Sequence, residues 1–387
     1  MLRFFTFSKC LLSTFKSFSI VLSLLIYSFL AACSSQYNTI LPNQENTIEA
    51  TFATRLASIA IDSNATLKSV SSFPVGAAPG RWLQTKSPKG FKLLNEQFNS
   101  ETVHAYMNIQ TSPGNYNFTE PDYWVEYAKT HSVRLHGHCL VYHQAAPNWL
   151  LTYKGTTADF EKNIKTHIQT VVGRYRGKIK SWDVINEVFS YSTGAIMSTP
   201  FRKLYASDEA YLMFVKRCFQ WAHEADPDAL LFYNDSNYEI GDAKVNAVLQ
   251  LVADFKRSGI PIHGLGTQTH ISIRTATSGI YSSLQKLATS GLLIHVSELD
   301  IRLNPDNSSN FTVTNQLLDA QRIMAQTVVQ YYKRLIPVSQ QYGITMWDLD
   351  DGNSWIIYQE KQKDAPCLFD ADYNKKPAFY GFLEELK

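Results

Sequence analysis

Hydrophobic and polar positions follow two alternating periods along most of this chain. Short apolar runs rich in β-branched residues recur at Phe73–Ala78, Thr102–Met107, Val133–Tyr142, Ile179–Val188, Ala229–Asn234, Ile262–Thr269, Leu292–Leu299 and Gly343–Trp347, and each reads as a strand. Between most of them the period lengthens to that of an amphipathic helix, at Tyr123–His131, Thr157–Tyr175, Ser207–Ala225, Asp242–Ser258, Ser282–Ser290 and Thr314–Leu335. Strands alternating with helices, with no break in composition, predict one α/β domain over residues 71–387, a single (β/α)₈ barrel. A doubly wound sheet carries the same alternation, and pattern alone leaves it open.

The placement of polar residues favours the barrel. Strand after strand ends in them: His138 and His143, Asn186 and Glu187, Asn234 and Asp235, Gln268 and His270, Glu298 and Asp300, Trp347 and Asp348. In a barrel all parallel strands end at one face, where groups from several strands meet. The run Trp182-Asp183-Val184-Ile185-Asn186-Glu187 is the centre of this pattern. Strict alternation puts Trp182, Val184 and Asn186 on one face and Asp183, Ile185 and Glu187 on the other, with the polar groups and the indole assigned to the C-terminal end. An unpaired charge in a core is costly, so this end reads as a mouth. A paired structural carboxylate is the other reading, because ion-pair networks also gather acidic residues.

Composition adds little beyond exclusions. The chain has 387 residues, 18% of them charged, and a net charge of +2, with Lys and Arg scattered among Asp and Glu. That distribution gives no electrostatic case for nucleic acid. Aromatic residues make 13%, several beside hydrogen-bonding groups, which suits the faces of sugars. A monomer is expected.

The N-terminus reads as a targeting segment over residues 1–32, with Arg3, Lys9 and Lys16 followed by an apolar stretch from Ser17 to Leu30. The tetrapeptide Leu30-Ala31-Ala32-Cys33 resembles a bacterial lipobox, which implies lipid on Cys33 and a membrane-anchored place in the cell envelope, periplasmic or at the surface. An N-terminal transmembrane helix is the alternative. Residues 33–70 then read as lipidated Cys, polar tether and first helix. Cys139, Cys218 and Cys367 remain as candidates for buried thiols, without the spacing of a zinc site or a disulfide framework.

Glu298 follows the apolar run Leu292-Leu293-Ile294-His295-Val296 and so stands at a strand end as Glu187 does. Two carboxyl groups facing one sugar are what glycoside hydrolysis requires: one delivers a proton to the leaving oxygen while the other traps the positive anomeric centre. Asn186 beside Glu187 is placed to bond a sugar hydroxyl, and His270 to hold Glu298 ionised. His138 and His143 with a carboxylate are also of metal-ligating type, but no supporting spacing accompanies them.

Seven motifs carry a resemblance to glycoside hydrolase family 10, the endo-β-1,4-xylanase family of retaining (β/α)₈ enzymes, from about Phe73 to the C-terminus. They are HGHCLVYH (136–143), WDVINE (182–187), YNDSN (233–237), GLGTQTHI (264–271), SELDI (297–301), TMWDLDDGNSW (345–355) and LFDADYNKKPAF (368–379). The resemblance implies Glu187 as acid/base and Glu298 as nucleophile. It places His138, Tyr142, His143, Asn186, Gln268 and His270 around the sugar, with Trp347 and Trp355 lining it. Trp182, Asp235 and Asp300 are implied as supporting residues, Asp235 as a partner of His270. No cofactor or metal is implied, and the partner is a xylan-like polysaccharide or oligosaccharide.

The chain departs from that pattern on the second and third strands. His104, Ala105 and Asn108 stand where the family ordinarily has Glu, Asn and Lys gripping the non-reducing sugars, Tyr142 replaces a Trp, and Ala145 falls where a Gln is usual. The hydrolytic pair is kept while the glycone grip is rewritten, with volume expected to open at Ala105 and Ala145. The expectation is a retaining hydrolase of β-1,4-xylan or a related β-glycan whose distal sugar is decorated or differently linked. A lipid-tethered glycan-binding protein that kept the fold is the alternative.

Overall fold

Parallel strands buried on both faces need apolar side chains outside, against helices, and a filled interior. The computed structural model describes residues 65–387, and within them the eight predicted strands form: β1 (Val75–Ala77), β2 (Ser100–His104), β3 (Arg134–His138), β4 (Ser181–Asn186), β5 (Leu230–Asp235), β6 (Gly264–Thr267), β7 (Leu293–Arg302) and β8 (Gln341–Met346). They pair in parallel in chain order, and β8 closes the cylinder by pairing with both β7 and β1, through Val296 opposite Ile344 and Val75 opposite Ile344. The doubly wound alternative is thereby excluded. The predicted leader (1–32), Cys33 and most of the tether lie outside the described residues; the end of that stretch holds one helical turn, Leu67–Val70, closed by a Thr66/Ser69 capping box.

A helix follows every strand: α1 (Pro88–Gln97), α2 (Thr119–His131), α3 (Thr157–Arg174), α4 (Asp208–Ala225), α5 (Asp242–Arg257), α6 (Thr277–Ala288), α7 (Asn315–Leu335) and α8 (Pro377–Leu386). The first and last were missed by periodicity. α1 lies among Pro, Gly and Ser residues and contains Gly90, so it resembles a loop; α8 is short. Both carry proline at the first helical turn, and Ser87 caps α1 by accepting from the Gly90 amide. Proline there costs nothing, since that N–H has no intrahelical partner, and this was the available signal. The predicted strand Thr102–Met107 ends three residues early because the chain enters a single turn at Met107–Ile109.

The barrel interior is polar at its base. Arg134 donates to the Tyr342 carbonyl at 2.7 Å and to Ser100 Oγ at 3.1 Å, with its guanidinium 3.8 Å from the Tyr342 ring centroid. Above it His136 bonds Ser181 at 2.6 Å and His295 bonds Thr345 at 2.8 Å. Burial, then His136 and Arg134, push the His295 imidazole well below its ordinary pKa, so it fills the interior as a neutral group. Outside the strands, Phe160, Val171, Phe214 and Phe219 seal α3 and α4 onto the barrel. Cys139, Cys218 and Cys367 are free, buried thiols, as expected.

Two β-bulges break the alternation at the C-terminal rim. On β4, Asp183 faces Phe232 and Asn186 faces Asn234, so three steps on β4 match two on β5. On β7, Val296 faces Ile344 and Leu299 faces Met346, again three steps against two. A bulge turns the residues after it relative to those before it. Here it turns Asn186 inward, away from the face that strict alternation shares with Trp182, and it sets Glu298 beside Ser297 on the interior side.

Candidate active site

Four successive rim residues are tied edge to edge by the backbone. The Glu187 amide donates to the Asn234 carbonyl, Gln268 to Asp235, Glu298 to Gln268, and Trp347 to Leu299, all at 3.0 Å. Glu187 and Glu298 therefore stand at the same rim of one barrel. Glu187 itself has φ of 56°, in the left-handed region, a conformation costing a non-glycine residue about 1–3 kcal/mol and concentrated at functional sites.

Side chains bridge the two carboxylates. Gln268 Nε2 donates to Glu187 Oε1 at 3.0 Å and to Asn186 Oδ1 at 3.2 Å. Asn234 Nδ2 donates to the same Asn186 oxygen at 3.0 Å and to Glu298 Oε1 at 2.6 Å. Ser297 Oγ in turn donates to Asn234 Oδ1 at 2.7 Å, which fixes the orientation of that amide. A Cβ on Gly266 would fall 2.0 Å from Asn234 Oδ1, so this close approach of β5 and β6 requires glycine. Asn234 was expected as a polar strand end and as part of a motif, but its bond to Glu298 was not foreseen.

The other oxygen of Glu298 faces His270, whose Nε2 lies 3.3 Å from Oε2 while its Nδ1 contacts Asp300 Oδ2 at 2.7 Å. Burial opposes charge on this imidazole, but Asp300 and Glu298 outweigh it and raise its pKa to about 10. At neutral pH His270 is thus an imidazolium donating at both ends. Trp355 Nε1 also donates to Asp300 Oδ2, at 2.7 Å, so Asp300 joins His270 and Trp355.

The partnership with His270 expected of Asp235 is absent, Asp300 taking that place. Asp235 accepts from Lys244 Nζ at 2.6 Å, from the Tyr233 hydroxyl at 2.5 Å and from the Ser236 amide at 2.9 Å, all away from His270. The parity of β5 explains the difference: Phe232 and Asn234 face the interior, and Asp235 points outward against α5. Trp182 is likewise a packing residue. It is fully buried near the start of β4, not at its polar end, and its indole lies where a Cβ on Gly137 would fall, 2.2 Å from Cε3.

His138 meets Asp183 at 2.8 Å and stands 3.9 Å from Glu298 Oε1. Burial pushes the Asp183 carboxyl up, yet His136 and His138 beside it hold it below the usual carboxylate range. Burial also opposes charge on His138, and the negative groups around it, Glu298 and Asp183 among them, raise its pKa nonetheless. Tyr142 is half-buried, and its hydroxyl is held protonated by burial and by Glu187. His143 makes no hydrogen bond with a protein group among the described residues; its ring meets the edge of Tyr142 at 5.3 Å. Gln144, not singled out in the sequence, donates to Glu187 Oε2 at 3.4 Å, one position before Ala145.

An aromatic collar completes the rim. Trp347 meets His138 at 5.3 Å and His104 at 5.5 Å, and Trp355 meets His270 at 5.1 Å. Tyr106, also unforeseen, stacks on His104 at 5.3 Å and sets its edge on His138 at 5.4 Å. The volume expected at Ala105 is absent there, because Ala105 is fully buried with its amide bonded to His138 and Val103 carbonyls. Space lies beside it instead. A cleft of about 420 Å³ is lined by His104, Tyr106 and Asn108, and a second, of about 440 Å³, by His270, Asn237 and Arg302. They flank the carboxylate pair.

A closed eight-stranded barrel carrying two bridged carboxylates at its C-terminal rim is the architecture of a sugar-cleaving enzyme class. The chain belongs to glycosyl hydrolase family 10, whose model matches residues 64–385. It is 33% identical over 342 residues to the endo-beta-1,4-xylanase Xyn10C of Cellvibrio japonicus, covering 82% of this chain and 56% of that protein. It is 32% identical over 303 residues to a beta-1,4-xylanase of Dictyoglomus thermophilum, covering 76% of this chain and 83% of that protein. Among solved structures, a mutant of the Cellvibrio japonicus xylanase 10C in complex with xylopentaose superposes with a TM-score of 0.76 at 32% identity, over 83% of this chain and 69% of that one. This chain thus spans little more than half the length of the first of these relatives.

Proposed function

We propose that this protein is a retaining glycoside hydrolase of β-1,4-xylan or a closely related β-xylan. The observation that carries the reading is the pair Glu187 and Glu298 on one rim, joined through Gln268, Asn186 and Asn234, with an imidazolium on the outer oxygen of Glu298. Glu187 delivers its proton to the leaving oxygen while Glu298 attacks the anomeric carbon. Glu187 then takes a proton from water, which releases the sugar with its configuration retained. His270 and Asn234 occupy lone pairs on both oxygens of Glu298, which keeps the nucleophile aimed. Names of relatives acting on β-1,4-xylan support the substrate class.

The grip on the distal sugars is our second reading. His104, Tyr106 and Asn108 form a wall of different chemistry from the charged clamp of the family pattern, which supports an altered choice of glycone: decorated or differently linked chains. We infer also that Cys33 is lipidated and holds the barrel in the bacterial envelope, on the strength of Leu30-Ala31-Ala32-Cys33 alone. Loss of a metabolically incorporated fatty-acid label on Cys33→Ala tests this.

The experiment for the hydrolase reading is reducing-sugar release from linear and branched xylans by the wild type and by Glu298→Ala. Turnover is expected to vanish in the variant and to return in part with azide, as the glycosyl azide of inverted anomer. Release that survives Glu187→Gln combined with Glu298→Ala would leave a glycan-binding protein on the same fold.

A further inference from the structure

The loop after β8 begins on a strained residue. Trp347 is still tied to β7, its amide donating to the Leu299 carbonyl at 3.0 Å, and Asp348 then leaves the barrel with φ of 71°. Glycine adopts that left-handed conformation freely and any other residue at a cost, so an aspartate persists there only where its surroundings hold it. Its side chain supplies such a hold: Asp348 Oδ2 accepts from the Trp355 amide at 2.7 Å. Trp355 opens the single helical turn Trp355–Tyr358, whose first N–H groups have no partner inside the turn. Asp348 takes the first of them, and Ser354 Oγ takes the next, from Ile356, at 3.3 Å.

The indole placed by that bond makes a second one. Its Nε1 donates to Asp300 Oδ2 at 2.7 Å, the same oxygen that faces His270 Nδ1 at 2.7 Å. Asp300 Oδ1 is buried with no partner among the described residues, so the indole and the imidazole together orient this carboxylate. His270 Nε2 in turn lies 3.3 Å from Glu298 Oε2. A continuous series therefore runs from Asp348 through Trp355, Asp300 and His270 to Glu298. The loop is steadied again beyond the turn, where Arg302, 5.3 Å from the centre of the Trp355 ring, bonds Glu360 and Gln362 at 2.8 Å. Asp348 is the hold at its near end.

That hold needs an acceptor, not a charge. Burial, opposed by the Trp355 amide and reinforced by Asp300 and Asp350, raises the Asp348 pKa to about 7, and a carboxyl group keeps acceptor capacity in either protonation state. Asparagine offers the same oxygen and tolerates the same φ, whereas glycine tolerates the φ and offers no side chain. The two replacements thus separate backbone strain from the hold on Trp355.

We propose that Asp348 is a positioning residue, fixing Trp355 so that its indole N–H keeps Asp300 and His270 in line with Glu298. The proposal rests on the hydrolase reading for the reaction it affects, and a measurement without substrate tests the hold separately. That measurement is exchange of the Trp355 indole proton with water, followed by NMR on protein carrying isotopically labelled tryptophan and assigned by its loss in Trp355→Phe. Asp348→Gly is expected to speed the exchange about tenfold or more, and Asp348→Asn by less than about threefold. Turnover of an aryl xylobioside, measured below the melting temperature of each variant, is the second readout. Asp348→Gly is expected to lower kcat about tenfold while KM moves less than about threefold, and Asp348→Asn to retain most of the wild-type kcat. On the Trp355→Phe background, which already lacks the N–H, Asp348→Gly should cost no more than about twofold, because both changes break one series of contacts. Exchange unmoved by Asp348→Gly, faster exchange with kcat unmoved, a loss of about tenfold in Asp348→Asn, or equal losses from Asp348→Gly on both backgrounds overturns the proposal. If the wild type hydrolyses nothing, the hydrolase reading fails, and faster exchange in Asp348→Gly but not in Asp348→Asn still supports the hold on Trp355.

Discussion

Asn234→Ala is the perturbation that most directly tests how the site is held. Asn234 is fully buried; its Nδ2 serves Glu298 Oε1 at 2.6 Å and Asn186 Oδ1 at 3.0 Å, and its Oδ1 takes the Ser297 hydroxyl at 2.7 Å. A hydrogen bond to a charged group contributes about 1.5–3 kcal/mol, and its loss lets the carboxylate swing from its line of attack. With about 1.4 kcal/mol per factor of ten, kcat should fall roughly 10- to 100-fold. Stability should fall by about 1–3 kcal/mol, since Ser297 loses its acceptor in a buried place. Asn234→Asp separates charge from shape. It keeps the volume but sets a second carboxylate against Glu298, where like charges oppose joint ionisation, so the acidic limb of the kcat/KM profile should move to higher pH. The assay is kcat and kcat/KM against pH on a soluble aryl xylobioside, with thermal melts alongside. A melting temperature that drops while kcat stays within about threefold of wild type would show Asn234 to be packing only, and the bridged-carboxylate account would fail.

Two further outcomes follow from buried charges. Lys244 and Asp235 form a buried pair at 2.6 Å, so Lys244→Met should cost about 3–5 kcal/mol in chemical denaturation, with Asp235→Asn in the same chain recovering part of it; the pH profile of kcat should not move, and a shift would restore the link to His270. Glu101 is buried with neither carboxyl oxygen bonded, and burial raises its pKa well above the ordinary value despite Lys68. The folded state therefore holds this proton more tightly than the unfolded one, and stability declines as pH rises from about 4.5 through the raised pKa. Glu101→Gln lacks that decline, so it should gain on the wild type in denaturant midpoint as pH rises from 4.5 to 8; parallel curves would refute the assignment.

Much of the barrel was legible in the chain because its signals are local. Strands and six helices follow from periodicity, since burial on one face imposes a period wherever packing is regular. α1 and α8 escaped because Gly90 and a short length blurred the pattern, although Pro88 and Pro377 marked both starts. Glu187, Glu298, His270 and Asp300 were legible as polar ends of apolar runs. The bond of Asn234 to Glu298 was not, nor were Gln144 and Tyr106, because each acts through a partner distant in sequence: Asn234 through Glu298, Gln144 through Glu187, Tyr106 through His138. Asp235 was misassigned for the same reason, its partner Lys244 being visible only once α5 packs on β5.

By itself the sequence determined the eight strands, six of the helices that follow them and the polar groups at the strand ends, because those properties depend on neighbours along the chain. Only the tertiary structure decided where the side chains at the rim point. On β4 and β7 an extra residue enters the ladder before Asn186 and around Glu298, and alternation read along one strand cannot register it, since a bulge exists only relative to the strand beside it. The same holds for the cleft between β2 and the loop after β8: its acidic lining is drawn from segments far apart in the chain, and closure of the cylinder is what sets them facing one another.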